Sequence, residues 1–391
     1  MRNTNGRKDF KQNHPELLAM NSRERIDAVV ALETPDRVPL APLLDHFAAT
    51  YAGITNAELM TNGEKRISAV LKTMQELGPW DMTFVADTAN ALLLKMGVPV
   101  RLYLPGKELP EKSIHQFEET EFLKPEDYDL LKRIGVIRFL GEIQGQLHPE
   151  IKGLKVITRF LPSLIELRRH RKMISKAGSQ MACGFVIPGP LFEYFSFGRG
   201  MTAMSMDLYD HPEKIKSASP VWAKGFTALA INCARFIGAP RIFIGLARSS
   251  PTMISPRHFE EFVLPELEYM VNTIIDAGMT PLLHCDTDWT KNFPLFKKFP
   301  KAKCILELDG HSDIFKAKEI LGDYMCIMGD VPAYLLAFGK KDEVMNYCKR
   351  LIQEVGKGGG FILSSGCSIP ANAKPENVRA MTEAVEEWGR Y

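Results

Sequence analysis

The C-terminal half of the chain alternates between short unbroken apolar runs and longer stretches whose apolar positions recur at helical spacing. PRIFIG (240–245), MTPLLH (279–284), KCILELD (303–309), YMCIMGD (324–330) and GFILSSG (360–366) read as strands. Their lack of alternation predicts burial on both faces. Between them, residues 255–278, 314–322, 340–359 and 374–389 carry the helical rhythm and close on glycine, and a shorter helix-like stretch covers 293–298. Strand and helix in regular succession are the signature of parallel βα units. Three earlier runs, RVPLAPL (37–43), WDMTFVA (80–86) and MACGFVIPG (181–189), complete a set of eight strands. Eight predict an α/β fold closed into a (β/α)8 TIM barrel. The alternative, a doubly wound open sheet, lacks support because no glycine-rich phosphate-binding sequence follows any strand.

Residues 87–180 exceed what a bare barrel needs. Their proline- and charge-rich stretches, 104–126 and 146–152, predict an insertion over the C-terminal face that shapes a substrate lid. Residues 1–20 read as a polar extension, and 21–391 as a single barrel domain. No apolar run approaches the roughly 18–20 residues that span a bilayer, and the N-terminus lacks the apolar core of a signal peptide. The cytoplasm is therefore the expected location, with no membrane partner. Across 391 residues, 45% hydrophobic and 25% charged, 49 basic and 47 acidic side chains leave a net charge of +2. That balance gives nucleic acid no basic face to bind. Seven scattered cysteines without a secretion signal predict no disulfide framework.

In a barrel, chemistry collects at the C-terminal ends of the strands. Here those ends offer Asp87, Glu193, Arg248, His284, Cys285, Asp286, Glu307, Asp309, Asp330 and Cys367. His284 and Asp286 stand two apart and share a strand face, while Cys285 points away if the strand continues that far. Cys367 ends the last strand on the same rim, so these groups can converge on one metal. Imidazole, carboxylate and thiolate are zinc ligands, and an open fourth position marks a catalytic zinc. Taken singly, each has a plainer role in packing or in bonding to backbone. Asp309 and Asp330, followed by turn residues, predict helix N-caps. Glu307, on the same face as Asp309, can support a metal ligand as a hydrogen-bond acceptor. Arg37 predicts a salt bridge within its own turn, with anion binding as the alternative. Trp80 and Trp289 predict core packing rather than an aromatic pocket.

Several of these residues lie in longer motifs. TPDRVPLAP (34–42), DLYDHPEKI (207–215), SPRHFEEFVLPEL (255–267), PLLHCD (281–286) and SSGCSIPANAKPENVRAM (364–381) resemble the uroporphyrinogen decarboxylase superfamily. Within it, they resemble the cobalamin-dependent methyltransferase branch. The resemblance covers most of residues 20–391, and GCSIP with PENVRAM is its most specific part. It implies a zinc held by a His-x-Cys pair after one strand and a cysteine after the last. His284 matches the histidine and Cys367 the last cysteine. Asp286 stands where the middle cysteine belongs, so either Asp286 or the adjacent Cys285 is the third ligand, and strand geometry favours Asp286. The expected catalytic and metal-binding set is thus His284, Asp286 and Cys367. The implied activity is zinc-dependent methyl transfer from a methylated donor to the cobalt of a corrinoid (cobalamin). That corrinoid would be carried by a separate protein, since no D-x-H-x-x-G motif occurs here. A carboxylate in place of a thiolate makes zinc harder, which suits a phenyl methyl ether donor and O-demethylation. The alternatives are methyl-corrinoid:thiol transfer, a metal-free decarboxylase using Arg37 and a barrel aspartate on a poly-acid, and a binding scaffold without chemistry. The decarboxylase's arginine-rich Met-Arg-Gln-Ala-Gly-Arg segment is missing.

Overall fold

The computed structural model describes residues 19–84 and 90–391. The polar extension therefore falls, up to residue 18, outside the described residues, and so does Asp87. Ten short strands are assigned among the rest. They are β1 (Met82–Thr83), β2 (Arg101–Tyr103), β3 (Gln116–Glu118), β4 (Gln180–Met181), β5 (Phe185–Ile187), β6 (Arg241–Leu246), β7 (Thr280–Cys285), β8 (Ile305–Leu308), β9 (Cys326–Val331) and β10 (Phe361–Ser365).

Strands β5 to β10 lie side by side in chain order, and every pair is parallel. β1 pairs in parallel with β4. The ring closes through residues 39–41. Leu40 bridges Leu363, Ala41 N donates to Leu363 O at 2.9 Å, and Asp81 N donates to Leu40 O at 2.7 Å. β4 and β5 belong to one interrupted strand, because Ala182 N still reaches Thr83 O and Gly184 N reaches Arg241 O. The (β/α)8 barrel expected from the apolar runs is the fold observed.

Where the elements fall short of expectation, proline supplies the reason. The run 37–43 contains Pro39 and Pro42, which cannot donate to a ladder, so it contributes bridges and no full strand. The stretch 255–278 splits into a short helix Pro256–His258, a π-turn Phe259–Val263 and the helix Leu264–Asp276. Pro265 has no N–H for the turn before it. Around Pro294, the helix-like stretch becomes a 3₁₀ segment, Thr290–Lys298.

The register sorts side chains into two cores. Leu282, Ile305, Cys326, Met328 and Ile362 point into the barrel with Ala41, Met82 and Phe84, and Ile26 and Val29 of the helix Ser22–Val30 join them. The intervening Leu283, Cys285, Leu306, Leu308, Ile327 and Leu363 pack against the outer helices. Between β1 and β4 the chain makes an antiparallel β2–β3 hairpin and the helices Glu126–Ile134, Val136–Leu147 and Leu154–Lys176. This excursion meets the barrel rim where Glu119 pairs with Arg248 at 2.9 Å. No helix among the described residues is long and apolar enough to cross a membrane.

At the N-terminal end of the barrel, Asp81 is 1% exposed and accepts from Arg37 Nη1 and from Leu40 N, both at 2.9 Å, as well as from Arg25. Arg37 therefore pairs with Asp81 and not within its own turn. Its side chain is engaged at the end of the barrel opposite the strand C-termini, which removes it from the anion-binding role. Breaking a buried ion pair leaves an uncompensated charge. Asp81→Ala should lower the unfolding free energy by about 3 kcal/mol in urea titrations. A variant of wild-type stability would show that the cluster contributes nothing.

Candidate metal centre

His284 and Glu307 are direct register partners on β7 and β8 and both face the barrel interior. His284 Nδ1 lies 2.9 Å from Glu307 Oε2. A carboxylate partner can only accept, so the proton of that bond sits on Nδ1 and Nε2 turns toward the mouth. Burial disfavours a charged ring at His284, but Asp286, Glu307 and Cys367 outweigh it and raise its pKa well above the usual histidine range. Burial also lifts the Glu307 carboxyl above its ordinary value. Beneath the imidazole lies Phe243 of β6, stacked at 5.1 Å between ring centroids, and Phe84 meets Phe243 edge-on at 6.1 Å.

Asp286 follows β7 by one residue. Its Oδ1 is 3.2 Å from His284 Nε2, and about a third of its side chain is exposed at the mouth. Burial alone would raise its carboxyl, yet the facing imidazole outweighs burial and holds it below the usual range. Two features aim it. Thr287 takes a left-handed φ of 69°, uncommon for a β-branched residue and found where a site is held by its surroundings. The Trp289 indole donates to Asp286 O at 2.7 Å. Trp289 is thus buried core, as its type predicts, and also a brace for the site.

Cys367 arrives from β10 through Gly366. A Cβ at Gly366 would stand 2.2 Å from Asp309 O, so only glycine allows this close approach. Cys367 Sγ then lies 3.6 Å from His284 Nε2. The donor atoms of His284, Asp286 and Cys367 all fall within 4.8 Å of one another. Tetrahedral zinc with bonds of about 2.0–2.3 Å separates its ligands by about 3.3–3.8 Å, close to the 3.2 and 3.6 Å from His284 Nε2 to Asp286 and to Cys367. The three residues can hold such an ion with one side open to the mouth. Cys285 is fully buried in the outer core, and burial raises its thiol well above the usual range. It does not join them.

The remaining candidates have structural partners. Asp309 accepts from Thr287 N, His311 N and the His311 ring, so it ties two rim loops together. The helix cap expected of it belongs to Asp313. Asp330 is likewise no cap, since it accepts from Tyr347 Oη at 2.8 Å. Glu193, fully buried, accepts from Arg248 N and Ser249 N at 2.8 and 2.9 Å and holds the loop after β6. Arg248 pairs with Glu119 and lies over the Phe197 ring at 4.0 Å. Trp80 is buried and donates to Thr382. Phe243, Trp289 and Gly366 were not picked out as site residues from the sequence. Only Phe243 left a signal, its place in phase with the inward positions of β6.

A family model described as uroporphyrinogen decarboxylase (URO-D) matches residues 172–388. The uroporphyrinogen decarboxylase of Geobacter metallireducens is 27% identical over 133 residues, which is 34% of this chain and 38% of that protein. That of Methylococcus capsulatus is 29% identical over 83 residues, or 21% of this chain and 23% of that protein. The chain thus matches well under half the length of these relatives. Among solved structures, a methyltransferase from Methanosarcina mazei is similar with a TM-score of 0.70 at 18% identity, covering 94% of this chain and 99% of that one. At that identity the likeness is one of fold.

Asp330 provides a test of how deeply the strand ends are buried. Burial pushes its carboxyl up to about 7, against a smaller downward pull from the Tyr347 hydroxyl. The folded pKa lies above that of the unfolded chain, roughly 4. The folded state therefore holds the extra proton between these values, and this contribution to stability is full at low pH and lost as pH rises through 7. Asp330→Asn cannot ionise, so it should gain on wild type from pH 5 to pH 8 in paired urea titrations. A difference constant across that range would mean that Asp330 stays charged throughout.

Proposed function

This chain belongs to the uroporphyrinogen decarboxylase family, and on that premise we propose that it is a zinc-dependent methyltransferase. It moves a methyl group from a phenyl methyl ether to the cobalt of a corrinoid carried by a separate protein. The observation that carries this reading is the donor set of His284, Asp286 and Cys367 at the barrel mouth, with Glu307 behind the imidazole. A zinc held there supplies a Lewis acid for an ether oxygen. The methyltransferase of Methanosarcina mazei has the same fold, which is consistent with that chemistry.

The chain's own residues do the rest. Glu307 fixes the imidazole tautomer and keeps Nε2 facing Asp286 and Cys367. Asp286 makes the donor set harder than a second thiolate would, which favours an oxygen-bearing donor. Phe243 and Phe84 form an apolar floor beside the donor set, where an aryl ring can rest and water is kept out. The excursion over 87–180, tethered by Glu119 and Arg248, serves as the lid, and the corrinoid protein docks at the mouth. Transfer from a methyl-corrinoid to a thiol would use the same donor set, but the aromatic floor favours the aryl ether. The metal-free decarboxylase needs Arg37 on a poly-acid, and Arg37 is engaged with Asp81 at the other end of the barrel.

Chelator-washed, zinc-reconstituted protein should hold about one zinc per chain by elemental analysis. His284→Ala and Cys367→Ala should lose both the zinc and methyl transfer from an aryl methyl ether to a cobalt(I) corrinoid. Asp286→Ala should be severe and Cys285→Ala mild. Glu307→Gln should weaken zinc binding roughly 10- to 100-fold in a folded protein. Full methyl transfer by a folded, metal-free variant would overturn the mechanism, and the reverse ranking of Cys285 and Asp286 would exchange the third ligand.

A further inference from the structure

On the outer face of the barrel, a cavity of about 470 Å³ opens between the helix Pro212–Ile237 and the segment that runs from the π-turn Phe259–Val263 into the helix Leu264–Asp276. That is ample for a one-ring molecule. Its depth is polar. Glu266 is 5% exposed; its Oε1 accepts from Leu191 N at 2.9 Å, but its Oε2 is buried without a hydrogen-bond partner. Ser219, on the facing helix, lines the same cavity close enough to Glu266 for its hydroxyl to pull that carboxyl down, yet neither oxygen makes a well-formed hydrogen bond. A buried polar atom without a well-formed bond costs about 1–3 kcal/mol, and both of these line one cavity.

The walls are apolar and irregular. Phe262 and Tyr269 supply aromatic surface, with Tyr269 exposed at the opening. Pro220 and Pro265 face one another across the cavity from the two walls. Pro220 has no N–H for the carbonyl one turn earlier, and Pro265 follows the π-turn. π-turns are frequent at functional sites. Lys216, at the edge, pairs with Glu261 at 2.8 Å and lies over the Phe262 ring, so it is already engaged.

We propose that this cavity binds a small hydroxyl-bearing aromatic molecule, with its ring between Phe262, Tyr269 and the two prolines and its hydroxyl against Glu266 and Ser219. A hydroxyl both donates and accepts, so it can bond to both oxygens at once. An ammonium group fits less well, because burial disfavours the charged form of the Glu266 carboxyl and lifts it well above its ordinary range. The site touches the catalytic end of the barrel. Glu266 holds Leu191 N, and Trp222 on the facing helix donates to Gly189 O at 3.1 Å, both just after β5. Occupancy would thus act on the turn after β5 and the start of the helix Leu191–Arg199, which carries Glu193. The proposal is independent of the methyl-transfer reading.

The test titrates the full-length protein with 4-fluorophenol, followed by ¹⁹F line broadening, with 4-fluorotoluene as the hydroxyl-free comparison. Binding of 4-fluorophenol at about 1 mM or tighter is expected, roughly tenfold stronger than 4-fluorotoluene. Ala223 also lines the cavity, so Ala223→Leu, which fills it, and Tyr269→Ala, a change at an exposed position, should each weaken binding roughly tenfold, while Cys367→Ala leaves it unchanged. Tyr269→Ala keeps the test decisive if Ala223→Leu fails to fold. Absence of binding, equal binding of the two probes, or binding that survives the cavity variants but falls in Cys367→Ala would each overturn the proposal. The last result would move the phenol to the barrel mouth.

Discussion

A carboxyl group with no exposed surface, Glu307, is tolerated inside the barrel because His284 stands beside it at the same level of the next strand. An isolated buried carboxylate would cost several kcal/mol. The imidazole supplies both a hydrogen bond and a positive partner. Apolar inward side chains surround this pair, with Leu282 and Ile305 below it and Met328 and Ile362 at its own level in the register. Ser364, two residues beyond Ile362, continues the polar side chains toward the rim. The site is therefore continuous with the core, and His284 is held by strand register rather than by a loop.

The rim depends on that foundation. Once His284 Nε2 faces the mouth, the other donors need only be brought to it, and each arrives by a short device. Asp286 is turned by Thr287 and braced through its carbonyl by Trp289. Cys367 is let in by Gly366, which rests against the backbone of Asp309. Asp309 in turn ties the loops after β7 and β8 to each other. Such dense support is what places donor atoms to within a fraction of an ångström before any ligand arrives.

The later strands were legible because parallel strands buried on both faces leave unbroken apolar runs, and β6 to β10 do so. The first strand was legible as a run but not as a ladder, since Pro39 and Pro42 leave only bridges. The split of β4 and β5 was hidden in Gly184, where a Cβ would lie 2.7 Å from that of Ala239. In the site, the two-residue spacing of His284 and Asp286 sufficed to put them on one face. Glu307 was legible as an acceptor that could support a metal ligand, but its pairing with His284 in particular depends on the register between β7 and β8. It misread Asp309 and Asp330 as caps, because a turn residue after an aspartate looks the same whether the carboxylate meets a helix or a neighbouring loop. It misread Arg37 because Asp81, its partner, is distant in the chain and adjacent only in the closed barrel.

The presence of an aspartate where a thiolate might stand also follows from strand alternation. Only the phase of Leu282, His284 and Asp286 faces the barrel interior. For Cys285 to turn inward, β7 would have to slip by one residue, which would carry Leu283 into the lumen and His284 out of it. The fully buried thiol is therefore committed to the outer core, and the donor atom that joins His284 and Cys367 from this segment is the carboxylate of Asp286. With a carboxylate there, the donor set combines one thiolate with nitrogen and oxygen, beside the rings of Phe243 and Phe84. On the reading proposed for the site, the two features act on different parts of one substrate. The hard donor set favours its oxygen and the aromatic floor favours its ring, which is the combination an aryl ether presents.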